Sequence, residues 1–371
     1  MPETQVKALL RRHEAFWRRG PADRPLMHVR SLLEERSGER RYAPLAGVTI
    51  PSVDGSDLTT RHAAITPDMI DPTLILDMAE NPRWRGSPDA PGPWVVDDLF
   101  VTRVPISTMV WVEATLGCPV IPRLDTGSVY SAPWLDGPGD IDRIPPPEKS
   151  PWLELLTRYT RLLVENSHGR YQVAQCLMRG PVDLASALLG HTEMCLAMYD
   201  EPVALRRLVE FCTETFIMVA KAQHNLYVPL EGGYSSPYAI WAPGTFVNTQ
   251  CDVVSSMSAE SYREFFFPGD EEICRNFDFS VVHLHSGYLH HTDVLLEGKY
   301  PTAIQVALDT GSTPNTVHSL IPYFKRVLEA KPLIIAGAMT RAEVDELLEK
   351  LPPRGLYIAS RTTRFERYER D

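Results

Sequence analysis

DFSVVHLHSGYLHH, residues Asp278 to His291, is the stretch from which the fold is read. Phe279 to Val282 is an apolar and β-branched run of the kind a buried parallel strand requires, and Ser286-Gly287 turns the chain away from it. His283 and His285 stand two apart on that extended segment, so both rings project from one face. Paired imidazoles at a strand end can hold a metal ion or handle protons. The bare His-x-His pattern is equally compatible with one core histidine and one surface histidine.

Downstream of this strand the alternation of strand and helix continues to the C-terminus. Thr302 to Leu308, Pro332 to Ala338 and Gly355 to Ala359 have strand composition. Between them a helix begins at Ser312, with Val317, Leu320, Ile321, Phe324, Val327 and Leu328 on its core face. A second helix is opened by Thr340 and Glu343, a capping-box pair.

Upstream, a helix is expected over Ala259 to Phe277, and a strand over Asn225 to Leu230 that ends on Glu231. Asp200-Glu201-Pro202 starts a long helix, and Gly180-Pro181 starts a short one that ends near Gly190. Tyr171 to Leu177 reads as a strand. Ser150-Pro151 has the cap and first-turn chemistry of another helix, with Trp152, Leu155, Leu156 and Tyr159 on its apolar stripe. Met109 to Leu116, carrying Glu113, and Pro25 to Arg30 are the remaining strands. Residues 1 to 24 hold an amphipathic N-terminal helix expected to pack as a lid on the fold; Glu3 and Glu14 are atypical of a transit peptide. Two segments, Ser31 to Ser107 and Pro119 to Lys149, lack periodicity and are expected as irregular active-site insertions.

Eight strands mostly separated by helices predict one α/β domain over residues 1–371, a closed (β/α)8 TIM barrel with both insertions over its C-terminal face. No GxGxxG turn favours a dinucleotide-binding sheet. Active sites on this barrel sit at the C-terminal strand ends, which here carry Arg30, Glu113, Arg179, Glu231, His283, His285, Asp309, Met339 and Arg361. Glu231, His283 and His285 are the expected catalytic and metal-binding residues. Arg30, Glu113, Arg179, Asp309 and Arg361 are the expected substrate contacts.

Composition bounds the partners. The chain has 371 residues, 44% of them hydrophobic, enough for a sizeable core, and a formal charge of −11 with its Lys and Arg scattered. That balance argues against a nucleic-acid backbone or an anionic membrane as principal partner. No apolar run matches a membrane span or a signal-peptide core, so a cytoplasmic location is expected. The six cysteines form no CxxC and suggest neither a disulfide framework nor a zinc ribbon.

Several segments resemble the uroporphyrinogen decarboxylase superfamily, which includes that decarboxylase and corrinoid-dependent methyltransferases. They are VEATLGCPV (Val112–Val120), MRGPVDLASALLG (Met178–Gly190), the DEPVALRRLVEFCTE helix from Asp200, SMSAESYREFFFP (Ser256–Pro268) and VVHLHSG (Val281–Gly287), in family order from Val112 to Ser360. The resemblance implies a single (β/α)8 barrel with a deep cleft. In the decarboxylase branch an aspartate and a tyrosine engage the tetrapyrrole and arginines bind its carboxylates; those two positions fall near Thr108 and Ala187 here, and only Arg30 can be matched. In the methyltransferase branch His-x-Cys and a later Cys bind zinc; this chain keeps the first ligand as His283, has His285 at the second, and has no cysteine after Cys274.

Two imidazoles and a carboxylate make a harder zinc site than a thiolate set, better suited to polarising oxygen or activating water than to raising a thiol's nucleophilicity. The third ligand is open among Glu231, Asp309 and Asp252. The expectation is a divergent metal-assisted, methyltransferase-like enzyme with zinc or another divalent metal, acting on a small polar or methylated substrate. A corrinoid-linked methyl donor, a corrinoid protein as partner and a homodimer accompany that reading. The alternatives are a decarboxylase of a polycarboxylate such as uroporphyrinogen, using Arg30, Arg179 and Arg361, and a non-catalytic barrel that binds a corrinoid or another small ligand.

Overall fold

The computed structural model describes residues 3–31, 64–73, 92–106, 109–123, 128–309 and 316–362. Eight strands run parallel with their neighbours: β1 (Leu26–Ser31), β2 (Thr102–Arg103), β3 (Gln172–Val173), β4 (Phe246–Gln250), β5 (Phe279–His285), β6 (Ala303–Leu308), β7 (Leu333–Ala338) and β8 (Leu356–Thr362). Six form one sheet in the order β1-β8-β7-β6-β5-β4, and β2 pairs with β3. Among the described residues no strand pairing joins the pair to the six. At one seam the Gln175 side chain acts in place of a strand: its amide donates to Asn248 O at 2.7 Å and accepts from Asn248 N at 3.0 Å. The protein is therefore α/β with a parallel sheet, and among the described residues the backbone hydrogen bonds of a closed ring are not all present.

Two expected strands are corrected. Met109 to Leu116 is not extended: Trp111–Thr115 is a short helix, tied by Trp111 Nε1 donating to Ile106 O and Thr115 Oγ1 to Trp111 O, both 2.8 Å. The strand of that region is β2, inside the stretch expected to be irregular. Asn225 to Leu230 follows the helix Pro202–His224 as turns, and the strand lies later, at β4. FVNTQ hid it because all five residues are buried, so polar and apolar side chains do not mark different environments. The helix expected over Ala259 to Phe277 is two, Ala259–Phe265 and Phe267–Arg275, with Pro268 at the start of the second. Pro119 to Lys149 holds a hairpin, Val120–Arg123 with Ser128–Ser131, and two 3₁₀ segments.

Helix-start chemistry is as expected where it is described. Ser150 caps Trp152 N, and Thr340 and Glu343 form the reciprocal capping box. The start expected at Ser312 lies outside the described residues; Thr316 caps the helix Val317–Ala330.

Two layers of core follow from the strand alternation. Side chains facing the helices, such as Val306, Ile335 and Ile358, join the larger core, whereas Leu26, Phe246, Val281, Ala303, Ile334 and Tyr357 form a separate inner cluster. The helix Glu3–Trp17 closes the N-terminal end of that inner cluster. Trp17 packs against Phe246 and Phe279, the first residues of β4 and β5, and its indole donates to Trp241 O at 2.8 Å. His13 in the same helix accepts from Trp241 N through Nδ1, so its Nε2 donates to Asp98 O; burial holds its pKa down at about 4. The N-terminal helix thus covers one strand end, the one opposite His283 and His285.

Candidate functional site

The C-terminal ends of β4, β5 and β6 bring the chemistry-bearing side chains together. His283 and His285 project from one face of β5 with ring centroids 4.8 Å apart and planes at 89°. His283 Nδ1 meets Oε1 of Gln305, its register partner on β6. An amide oxygen accepts only, so Nδ1 carries the proton and Nε2 keeps its lone pair. His285 is set the same way by Asp309, whose Oδ1 lies 2.6 Å from Nδ1. Asp309 in turn accepts from Gly287 N at 3.3 Å. Burial lowers the pKa of His283, an effect that Asp252 and Gln305 oppose.

Asp252, two residues past β4, completes the group. Its Oδ1 lies 3.9 Å from His283 Nε2 and 3.6 Å from His285 Nε2. Tyr288 OH donates to the same oxygen at 3.2 Å, and Gln250 Nε2 donates to Oδ2 at 2.7 Å. One ligand atom from each of Asp252, His283 and His285 lies within 4.8 Å of the others. Ligands on a tetrahedral zinc stand roughly 3.4 Å apart, given bonds of about 2.0–2.1 Å, so small side-chain adjustments would let all three reach one ion. Anchoring of each imidazole through its other nitrogen is the outer-shell arrangement that metal-binding histidines use.

Beneath Asp252 a second carboxylate holds its backbone. Asp183 is buried and accepts Val253 N at 2.8 Å and Asp252 N at 3.1 Å. Burial, with the negative charge of Asp252, pushes its pKa well above the usual carboxylate range. Arg179 faces Glu113, 3.2 Å away, and the charges of Asp183 and Asp252. Burial raises the pKa of Glu113 and Arg179 draws it back. Gly180, next to Arg179, admits no side chain: a Cβ there would meet Thr249 Oγ1 and stand 2.7 Å from Gln250 O, to which Gly180 N donates.

The structure therefore gathers His283, His285 and Asp309, places Arg179 with Glu113 near Asp183 and Asp252, and, of the three open third-ligand positions, brings Asp252 to the Nε2 atoms of both histidines. Glu231 is elsewhere. It is exposed in the turn Leu230–Gly233 with φ 48°, and its charge bears on Lys7 of the N-terminal helix, because the strand expected to end on it is a turn before β4. Arg30 and Arg361 are register partners on β1 and β8. Met339 follows β7 and is buried. Thr108 lies outside the described residues, and Ala187 is buried in the helix Pro181–Leu189.

Sequence reasoning missed Asp183, Gln250, Tyr288 and Gln305. Asp183 lay in view within MRGPVDLASALLG, and Gln305 was a lone polar residue in an otherwise apolar strand, the one signal that β6 faces a polar partner.

Residues 102–229 match the family model described as uroporphyrinogen decarboxylase (URO-D). The fold is similar to that of a methyltransferase from Methanosarcina mazei, with a TM-score of 0.55 and 14% identity over 96% of this chain and 93% of that one. No curated protein matches the chain by sequence.

Proposed function

We propose that this chain is a member of the uroporphyrinogen decarboxylase superfamily, a reading supported by the family-model match over residues 102–229 and by the similar fold, and that it is a metal-assisted, methyltransferase-like enzyme acting on a small polar or methylated substrate. We further infer that its eight strands surround the site as a (β/α)8 barrel. One observation carries the functional reading: the Nε2 atoms of His283 and His285 and a carboxylate oxygen of Asp252 converge while Gln305 and Asp309 fix both rings from behind.

Two neutral imidazoles and one carboxylate are a donor set for zinc or a similar divalent ion. Bound there, the ion would supply Lewis acidity toward a substrate oxygen or nitrogen. The protein's own groups set the conditions. Asp309 holds His285 by Nδ1 and increases its basicity as a ligand. Tyr288 and Gln250 each donate to Asp252 and so fix the direction of its carboxylate. Asp183 anchors the backbone on which Asp252 is carried. Arg179 balances the surrounding negative charge, and its pairing with Glu113 holds it at the edge of the site. A corrinoid-linked methyl donor is the co-reactant this reading would take from the family. A decarboxylase would need arginines turned to substrate carboxylates, and Arg179 already faces three acidic side chains of its own chain.

Elemental analysis after zinc-supplemented purification tests the reading. We expect close to one equivalent of metal in the wild type, and loss of it in His283→Ala, His285→Ala and Asp252→Ala variants with retained circular dichroism. Metal absent from the wild type, or kept equally by all three variants, would remove the proposal.

A further inference from the structure

The strand register contains a feature that the metal group does not explain. Ala307 is the partner of His285, Ala336 of Ala307, Ala359 of Ala336, and His28 of Ala359. One row across five adjacent strands therefore reads His285, Ala307, Ala336, Ala359, His28. These residues lie on the inner face: Ala359 packs against the inner cluster, and Ile334 and Tyr357, two residues before Ala336 and Ala359, belong to it.

Two residues nearer the N-terminal end, the inner face is filled by Leu26, Ile334 and Tyr357, all at most 3% exposed. Such filling by bulky side chains is normal for a barrel interior. In the next row three consecutive positions carry a methyl group only, and all three are partly open to solvent, although their outward-facing neighbours Val306, Ile335 and Ile358 are completely buried. Interiors are close-packed with few voids, so a partly open row differs from the filled layer beneath it. A trough of small apolar side chains beginning at His285 has the character of a ligand site, apolar with a few fixed polar groups. At its far end His28 is buried, with Nδ1 2.9 Å from Asp97 Oδ2. Along the sheet the row spans roughly 19 Å, four strand spacings of about 4.8 Å.

We infer that the row Ala307–Ala336–Ala359 is the substrate's binding trough and determines its shape. The ligand class is an elongated small molecule whose coordinating head sits at His283, His285 and Asp252 and whose apolar body lies over the alanines toward His28. This rests on the metal reading for the head; the trough itself does not.

Alkyl hydroxamates, which chelate through two oxygens, are the probes. Acetohydroxamate and hexanohydroxamate are titrated into Co(II)-loaded protein and followed by visible absorption. A buried methylene contributes roughly fourfold in affinity; with its four extra carbons only partly covered, hexanohydroxamate should bind at least tenfold tighter. Ala336→Leu and Ala359→Leu should abolish that preference and leave Co(II) affinity and acetohydroxamate binding unchanged. Equal binding of the two probes to the wild type, or a preference surviving both variants, overturns the inference.

The same titration into metal-free protein labelled with ¹³C-methyl alanine separates the two readings. Hexanohydroxamate should shift the methyl signals of Ala336 and Ala359, assigned through Ala336→Gly and Ala359→Gly. Failure to take up Co(II) with those shifts present sinks only the metal reading. Still methyl signals in the metal-free protein sink the trough.

Discussion

Asp98 and Asp252 are carboxylates at opposite ends of the strands, and they differ in how their surroundings use them. Asp98 accepts from Arg12 at 2.6 Å, from Arg24 at 2.8 Å and from Met27 N at 3.1 Å. Burial pushes its pKa up, but the two guanidiniums outweigh that and leave it at about 2. Asp252 has neutral donors at its edges, Tyr288 and Gln250, and an oxygen directed at two imidazole nitrogens whose lone pairs face it. Acceptors aimed at acceptors gain nothing from one another. A buried charge matched by donors is a structural tie, whereas two imidazole nitrogens and a carboxylate oxygen that converge at 3.6–3.9 Å are the donor set the proposed ion would need.

The largest effect expected from this contrast is at the structural end. Asp98→Ala removes the shared acceptor of two arginines, whose guanidiniums stay partly in solvent, and should lower unfolding stability by about 2–3 kcal/mol, less than for a fully buried pair, while metal content per folded molecule stays unchanged. Urea unfolding together with elemental analysis checks it. A loss below about 1 kcal/mol would mean that Asp98 is not the tie its contacts describe.

Asp270 is an intermediate case. It is fully enclosed and accepts only from neutral groups, Tyr262 OH at 2.8 Å and Thr249 Oγ1 at 3.1 Å, and burial raises its pKa to about 7. Between about pH 4 and pH 7 the folded chain holds a proton there that the unfolded chain has released. Its contribution to stability is complete below pH 4, is lost as pH rises toward 7, and is flat above; the total is on the order of a few kcal/mol. Asp270→Asn should remove that slope from stability-versus-pH curves. Parallel curves for variant and wild type would show that the carboxyl titrates normally.

A smaller effect is expected at Asp309, which holds His285 by Nδ1. Asp309→Ala should weaken zinc affinity about 10–100-fold, with a thermal midpoint of metal-free protein close to wild type. Competition with a chromophoric chelator measures the first and calorimetry the second. An unchanged affinity would place His285 outside the metal group.

Much of the fold was legible from residues that obey one rule at a time. β5, β6 and β7 were placed by apolar runs, the helices after Ser150 and Thr340 by cap chemistry, and the shared face of His283 and His285 by the two-residue period of a strand. The errors arose where local pattern and environment part. β4 carries Asn248, Gln250 and Thr249 in a strand buried on both faces, so its polarity resembled a loop. Missing it moved a strand end to Glu231 and left Asp252 as one candidate among three. Met109 to Leu116 is apolar enough for a strand but is too short for its period to decide, and contacts with Ile106 and Arg179 make it a helix that carries Glu113.

By itself the sequence determined the α/β alternation, the run of parallel strands from His283 onward, and the two histidines on one face. These depend on residue spacing within single elements, and backbone geometry converts that spacing directly into direction. Tertiary structure alone decided that Asp252 joins the histidines, that Gln305 and Asp309 set their protons, and that Ala307, Ala336 and Ala359 line up beside them. Each of those relations joins different segments, and register between strands is fixed by the packing of the whole inner face.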